Sequence, residues 1–171
     1  MPVRGFHAVV VDPTNPSIVY ALTGDGVFKT ENGGESWDLI LDVSLTELAI
    51  GTDANTKVTT LYAGGGAPNG SFTQISPFLL KTEDGGHTWA IVFSQITASV
   101  LPCVRDFRAE FVALAVDQMA PEIVYAGTNS CGVFKGDHPR QDPQGVGDPE
   151  RWSQSSLGFF NFFQFVAALA A

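Results

Sequence analysis

Thr82-Glu83-Asp84-Gly85-Gly86-His87-Thr88-Trp89 occurs a second time upstream as Thr30-Glu31-Asn32-Gly33-Gly34-Glu35-Ser36-Trp37. Both stretches fit Ser/Thr-x-Asp-x-Gly-x-Thr-Trp, with Asn32 at the position of Asp84. The spacing has a physical reading. A short polar side chain at Asp84 or Asn32 accepts backbone N–H groups of a tight turn, and glycines at the next two positions permit the positive φ such a turn needs. Trp37 and Trp89 then pack where the next strand begins, so each is expected to behave as a large buried aromatic, losing about 3–5 kcal/mol on truncation to alanine. Thr30, Asn32, Gly34, Ser36 and Trp37, like Thr82, Asp84, Gly86, Thr88 and Trp89, are read as structural residues.

On these two motifs the chain resembles the Asp-box (BNR) repeat β-propeller families, which include sialidases, sortilin-type receptors, xyloglucan hydrolases and photosystem II assembly factors. The resemblance implies a fold far more sharply than a function. It implies an all-β chain built of propeller blades, and an extracytoplasmic setting, although Met1-Pro2-Val3-Arg4-Gly5-Phe6 has no signal-peptide pattern.

Self-similarity extends beyond the two boxes. Val9-Val10-Val11-Asp12, running on to Ile18-Val19-Tyr20-Ala21, recurs as Leu114-Ala115-Val116-Asp117, running on to Ile123-Val124-Tyr125-Ala126. A weaker copy runs from Glu47-Leu48-Ala49-Ile50 through Asp53 to Leu61-Tyr62-Ala63. Gly26-Val27-Phe28-Lys29-Thr30 is echoed by Phe78-Leu79-Leu80-Lys81-Thr82 and Gly132-Val133-Phe134-Lys135-Gly136, and a fourth strand starts at Trp37, Trp89 and Trp152. Four short strands per unit with turn residues between them match a propeller blade. The expectation is a single incomplete propeller over 1–171, with four-stranded antiparallel blades at about 5–41, 45–94 and 108–156 and the first strand of a fourth blade at 159–171. The third box is degraded: Gly136-Asp137-His138 leads into a Pro/Gln/Gly/Asp-rich loop before Arg151-Trp152.

The apolar C-terminal run from Leu157 to Ala171 is shorter than the roughly 20 residues of a spanning helix, and its register matches an inner strand instead. No membrane span is expected. A formal charge of −9, from 18 acidic and 9 basic residues without a Lys/Arg cluster, argues against nucleic acid as a partner. Propellers close with about 4–8 blades. Three blades are too few, so the expectation is either a part of a larger propeller or an open arc whose edges are covered by another copy or a partner, since open edges invite self-association. Cys103 and Cys131 fall at one end of the third blade, where a disulfide and two buried thiols both fit.

Strand alternation sorts the loops onto two faces. The turns after strand one of each blade share a face with the boxes, and the blade-to-blade links and second turns lie on the other, which surrounds the channel mouth in propellers. There the loop Gly64 to Pro77 and the link from Ser94 to Arg108 lie on adjacent blades, and Asn69, Gln74, Arg105, Asp106 and Arg108 form the candidate ligand patch, for a protein or a carbohydrate. Gly64-Gly65-Gly66 lacks the Lys-Ser/Thr of a phosphate loop, and His7, His87 and His138 have no metal-ligand spacing, so neither cofactor nor metal is expected. Sialidases use an arginine trio and a tyrosine–glutamate pair. Here Tyr20, Tyr62 and Tyr125 recur at one repeat position, as packing residues do, and the arginines form no such set. The leading expectation is a non-catalytic scaffold or binding module. A glycoside hydrolase fragment is the alternative, with Asp106 and Glu110 as the mouth carboxylates.

Overall fold

The computed structural model describes residues 5–65, 78–93, 111–129, 132–140, 148 and 151–155. Within them no α-helix occurs, and twelve strands form three antiparallel four-stranded sheets. Sheet one contains β1 (Phe6–Val11), β2 (Val19–Thr23), β3 (Gly26–Thr30) and β4 (Asp38–Leu41). Sheet two contains β5 (Glu47–Thr52), β6 (Thr59–Gly65), β7 (Phe78–Thr82) and β8 (Ala90–Phe93). Sheet three contains β9 (Phe111–Val116), β10 (Ile123–Thr128), β11 (Gly132–Asp137) and β12 (Trp152–Gln154). Each sheet is a meander in chain order. The segment expected to begin a fourth blade lies outside the described residues.

Short local devices make the meanders. The turn after each first strand opens on an aspartate that caps its own turn. Asp12 Oδ1 accepts the Thr14 N–H at 2.8 Å, Asp53 Oδ1 accepts the Asn55 N–H at 2.9 Å, and Asp117 Oδ1 accepts those of Met119 and Ala120 at 2.9 and 3.1 Å. In sheet one the next reversal is the tight turn into Gly26, where φ is 132°. A Cβ there would overlap the Leu41 carbonyl, so glycine is required by space as well as by φ.

Both faces of a middle sheet are buried, which is why these strands are apolar on both sides rather than alternating. One core lies between sheets one and two and holds Tyr20, Leu22, Val27, Ile50, Leu61 and Leu80. The second lies between sheets two and three, where Phe93 meets Phe111 and Trp152 edge-to-face with centroids 5.1 and 4.9 Å apart. Inner strands are neighbours in chain order, β1 beside β5 and β5 beside β9. Successive sheets therefore stack face to face as blades do.

Candidate functional site

The two polar turns that join β3 to β4 and β7 to β8 are built alike, atom for atom. In the second, Thr82 Oγ1 donates to Asp84 Oδ1 at 2.7 Å while accepting the Gly86 N–H at 3.1 Å. Asp84 Oδ1 then accepts the Thr88 N–H at 2.9 Å, and Asp84 Oδ2 accepts the Thr88 hydroxyl at 2.5 Å. In the first, Thr30 Oγ1 donates to Asn32 Oδ1 at 2.8 Å and accepts the Gly34 N–H at 3.0 Å. Ser36 N–H donates to Asn32 Oδ1 at 3.0 Å, and the Asn32 amide donates to Ser36 Oγ at 2.8 Å. Where Asp84 accepts a hydroxyl proton, Asn32 supplies one of its own, so a carboxylate and an amide fill the same role with the last bond reversed.

Each turn needs two consecutive left-handed residues, Gly33 and Gly34 at φ 70° and 98°, and Gly85 and Gly86 at 72° and 96°. Both oxygens of Asp84 are engaged by hydrogen bonds to the ionised form, led by the Thr88 hydroxyl, and these hold its carboxyl well below the usual carboxylate range. A carboxylate committed in this way has no proton to exchange near neutrality. Lys29 and Lys81 pair with Glu31 and Glu83 at 2.7 Å, and the Lys29 bond holds Glu31 below its ordinary value.

The tryptophans diverge. Trp152 is buried, and its Nε1 donates to the Val92 carbonyl of the preceding sheet at 2.8 Å. Trp89 is partly buried against the first core, with its Nε1 enclosed and without a hydrogen-bond partner among the described residues. Trp37 is 41% exposed. The expectation that Trp37 behaves as a buried aromatic is therefore corrected. The residue occupies the same place in its turn, but no described sheet covers it.

The tyrosines at the repeat position also reach across sheets. Tyr62 donates to the Pro121 carbonyl at 2.9 Å, and burial pushes its phenol far up. Tyr20 lies under the Lys29 ammonium, 5.9 Å from its ring centroid, and burial pushes its hydroxyl up to about 12. Neither phenol is poised as a nucleophile.

The candidate ligand patch, Asn69, Gln74, Arg105, Asp106 and Arg108, lies outside the described residues, as do Cys103, Cys131 and Glu110. On that loop face the described structure brings forward a residue the sequence reading passed over. Glu47 begins β5 directly after the link from sheet one, where Thr46 N–H donates to the Gly64 carbonyl at 2.9 Å. Burial pushes the Glu47 carboxyl up. Its signal in the sequence was singularity, since the equivalent first inner-strand positions are Phe6 and Phe111. Among the described residues no three His, Cys, Asp or Glu side chains group to hold a metal ion.

No family model and no curated protein matches the chain. Among solved structures it is similar to the crystal structure of an ancestral GH74 enzyme, at 20% identity and a TM-score of 0.58, with 89% of this chain covered. The matched region spans 19% of that enzyme. Together with the three stacked meanders, this likeness defines the class: the chain is all-β and folds as part of a β-propeller.

Proposed function

We propose that the chain is a non-catalytic Asp-box propeller segment that acts as a scaffold or binding module within a larger propeller assembly. On this reading the boxes are structural, and a protein or carbohydrate ligand is taken on the loop face by Asn69, Gln74, Arg105, Asp106 and Arg108. The observation that carries it is the commitment of the conspicuous polar groups: both Asp84 oxygens are bound within their own turn, and Tyr20 and Tyr62 are buried between sheets. Repeated residues are spent on packing. Ligand chemistry then falls to the irregular loops, which vary between blades while the scaffold holds them.

One observation favours the alternative, a glycoside hydrolase segment. Glu47 is a carboxyl at the loop-face end of β5 with its pKa raised by burial, the state a general acid needs. Its partner carboxylate would come from Asp106 or Glu110.

The test is binding and turnover on the same preparation. Arrays of glycans and extended peptides should yield a ligand whose affinity falls on the double substitution of Arg105 and Arg108 to alanine, while aryl glycosides and xyloglucan oligosaccharides remain intact. Hydrolysis abolished by Glu47→Gln would replace the scaffold reading with the enzyme.

A further inference from the structure

The first polar turn contains Asn32-Gly33, and the sequence has one other Asn-Gly pair, Asn69-Gly70. Such pairs are prone to lose ammonia unaided, because glycine has no Cβ to keep its backbone nitrogen away from the asparagine amide. The Gly33 nitrogen gives its proton to hydroxide and bonds to Asn32 Cγ, the Cγ–Nδ2 bond breaks, and Nδ2 takes up a proton from water and leaves as ammonia. Water then opens the five-membered imide at either carbonyl. Attack at Cγ leaves aspartate, and attack at the main-chain carbon leaves isoaspartate. Asn32 and Gly33 are both exposed, so water and hydroxide reach them.

The folded turn commits the reacting atoms elsewhere. Gly33 N–H donates to the Ser17 carbonyl at 2.9 Å, in the turn between β1 and β2. This bond fixes the peptide plane between Asn32 and Gly33 and retains the proton whose loss starts the reaction. Ser17 is itself held, because its N–H donates to Asn15 Oδ1 at 3.1 Å. The Asn32 side chain is pinned from three sides, by Thr30 Oγ1 and Ser36 N–H on its Oδ1 and by its own bond to Ser36 Oγ. Bonds to Oδ1 draw electrons from Cγ and by themselves favour attack. The nucleophile decides the outcome, since it cannot close on Cγ while its N–H is held by Ser17.

The second polar turn shows what each product would meet. Asp84 stands at the equivalent place and accepts the Thr82 hydroxyl, the Thr88 N–H and the Thr88 hydroxyl. An aspartate at position 32 needs only the Ser36 hydroxyl to turn from acceptor to donor. Isoaspartate instead adds a carbon to the main chain between positions 32 and 33, which displaces Gly34 and Ser36 from the bonds they make to Thr30 and Asn32.

We propose that Asn32-Gly33 is a deamidation site gated by its own turn: the folded turn suppresses the reaction, opening of the turn permits it, and the refolded turn accepts aspartate but not isoaspartate. Asn32 then keeps a covalent record of how often this turn has opened. The inference is independent of what the loop face binds.

The test is peptide mapping by mass spectrometry of the full chain, held at mildly alkaline pH either folded in buffer or unfolded in guanidinium chloride. In the unfolded chain Asn32 and Asn69 should both convert to mixtures of aspartate and isoaspartate. In the folded chain conversion at Asn32 should be slower by about tenfold or more, since only locally opened molecules react. Thr30→Val removes the hydroxyl that holds Asn32 Oδ1 and the Gly34 N–H, and should recover much of the lost rate. Ser36→Ala takes its place should that variant lose its β-sheet circular dichroism. Asn32→Asp, which is the product, should melt as the parent does at neutral pH. Equal rates at Asn32 in the folded and unfolded chain would overturn the proposal. So would a folded turn variant that deamidates no faster than the parent, or an Asn32→Asp protein that melts well below it.

Discussion

At the residue scale, equivalent positions carry unequal energies because burial differs. Trp152 is enclosed and hydrogen-bonded to the Val92 carbonyl, so Trp152→Ala should cost about 3–5 kcal/mol in denaturant melts, as for a large core aromatic. Trp37→Ala at the same repeat position should cost about 0.5 kcal/mol or less, as at other exposed sites. Asp84 sets an acid limit. Its folded carboxyl titrates below its unfolded value, so its contribution is full above roughly pH 3.9 and is lost as pH falls through the folded pKa. Asp84→Asn should keep the turn, as Asn32 does in the first, and melts taken down to strongly acid pH should show a shallower loss of stability than the parent. Glu47 has the opposite sign. Its raised pKa means the folded state loses stability as pH rises above roughly 4.3. Glu47→Gln should therefore raise the melting temperature at neutral pH, and the gain should vanish below that value.

At the element scale, the polar turns differ in what they touch. Gly86 lies against sheet one, and a methyl there would overlap Ile40 Cδ1 on top of the strain of a φ of 96°. Gly33 carries φ 70° in open space. Gly33→Ala should cost only the left-handed backbone term, about 1–2 kcal/mol, and Gly86→Ala should cost clearly more. Equal losses in paired urea titrations would show that the second turn does not dock on β4. The repeat made the strands, turns and glycines legible, since apolar runs, capping residues and Gly-Gly pairs are local signals. It could not distinguish the two turns, whose near-identical sequences meet different surroundings.

At the scale of the whole molecule, folding gathers an excess of like charge into three stacked sheets. With a formal charge of −9, the folded chain repels itself at low salt, and screening shortens the range of that repulsion from about 30 Å at 0.01 M to about 8 Å at 0.15 M ionic strength. The midpoint of thermal unfolding should therefore rise as salt is raised over that interval. A midpoint that falls with salt would instead mark a fold held by ion pairs such as Lys29–Glu31 and Lys81–Glu83.

The sequence by itself determined the strand pattern, the three-fold repeat and the capped turns, because each depends on contacts within a few residues: Thr82 with Asp84 and Thr88, Asp117 with Ala120. It also marked Tyr20, Tyr62 and Tyr125 as packing residues by their recurrence. Only the tertiary structure decided which member of each repeated set is buried, because burial depends on whether a neighbouring sheet covers the position. That is why Trp152 and Trp37 part company, why Gly86 tolerates less than Gly33, and why Glu47 has its carboxyl pushed up at a position that holds phenylalanine in the other two sheets.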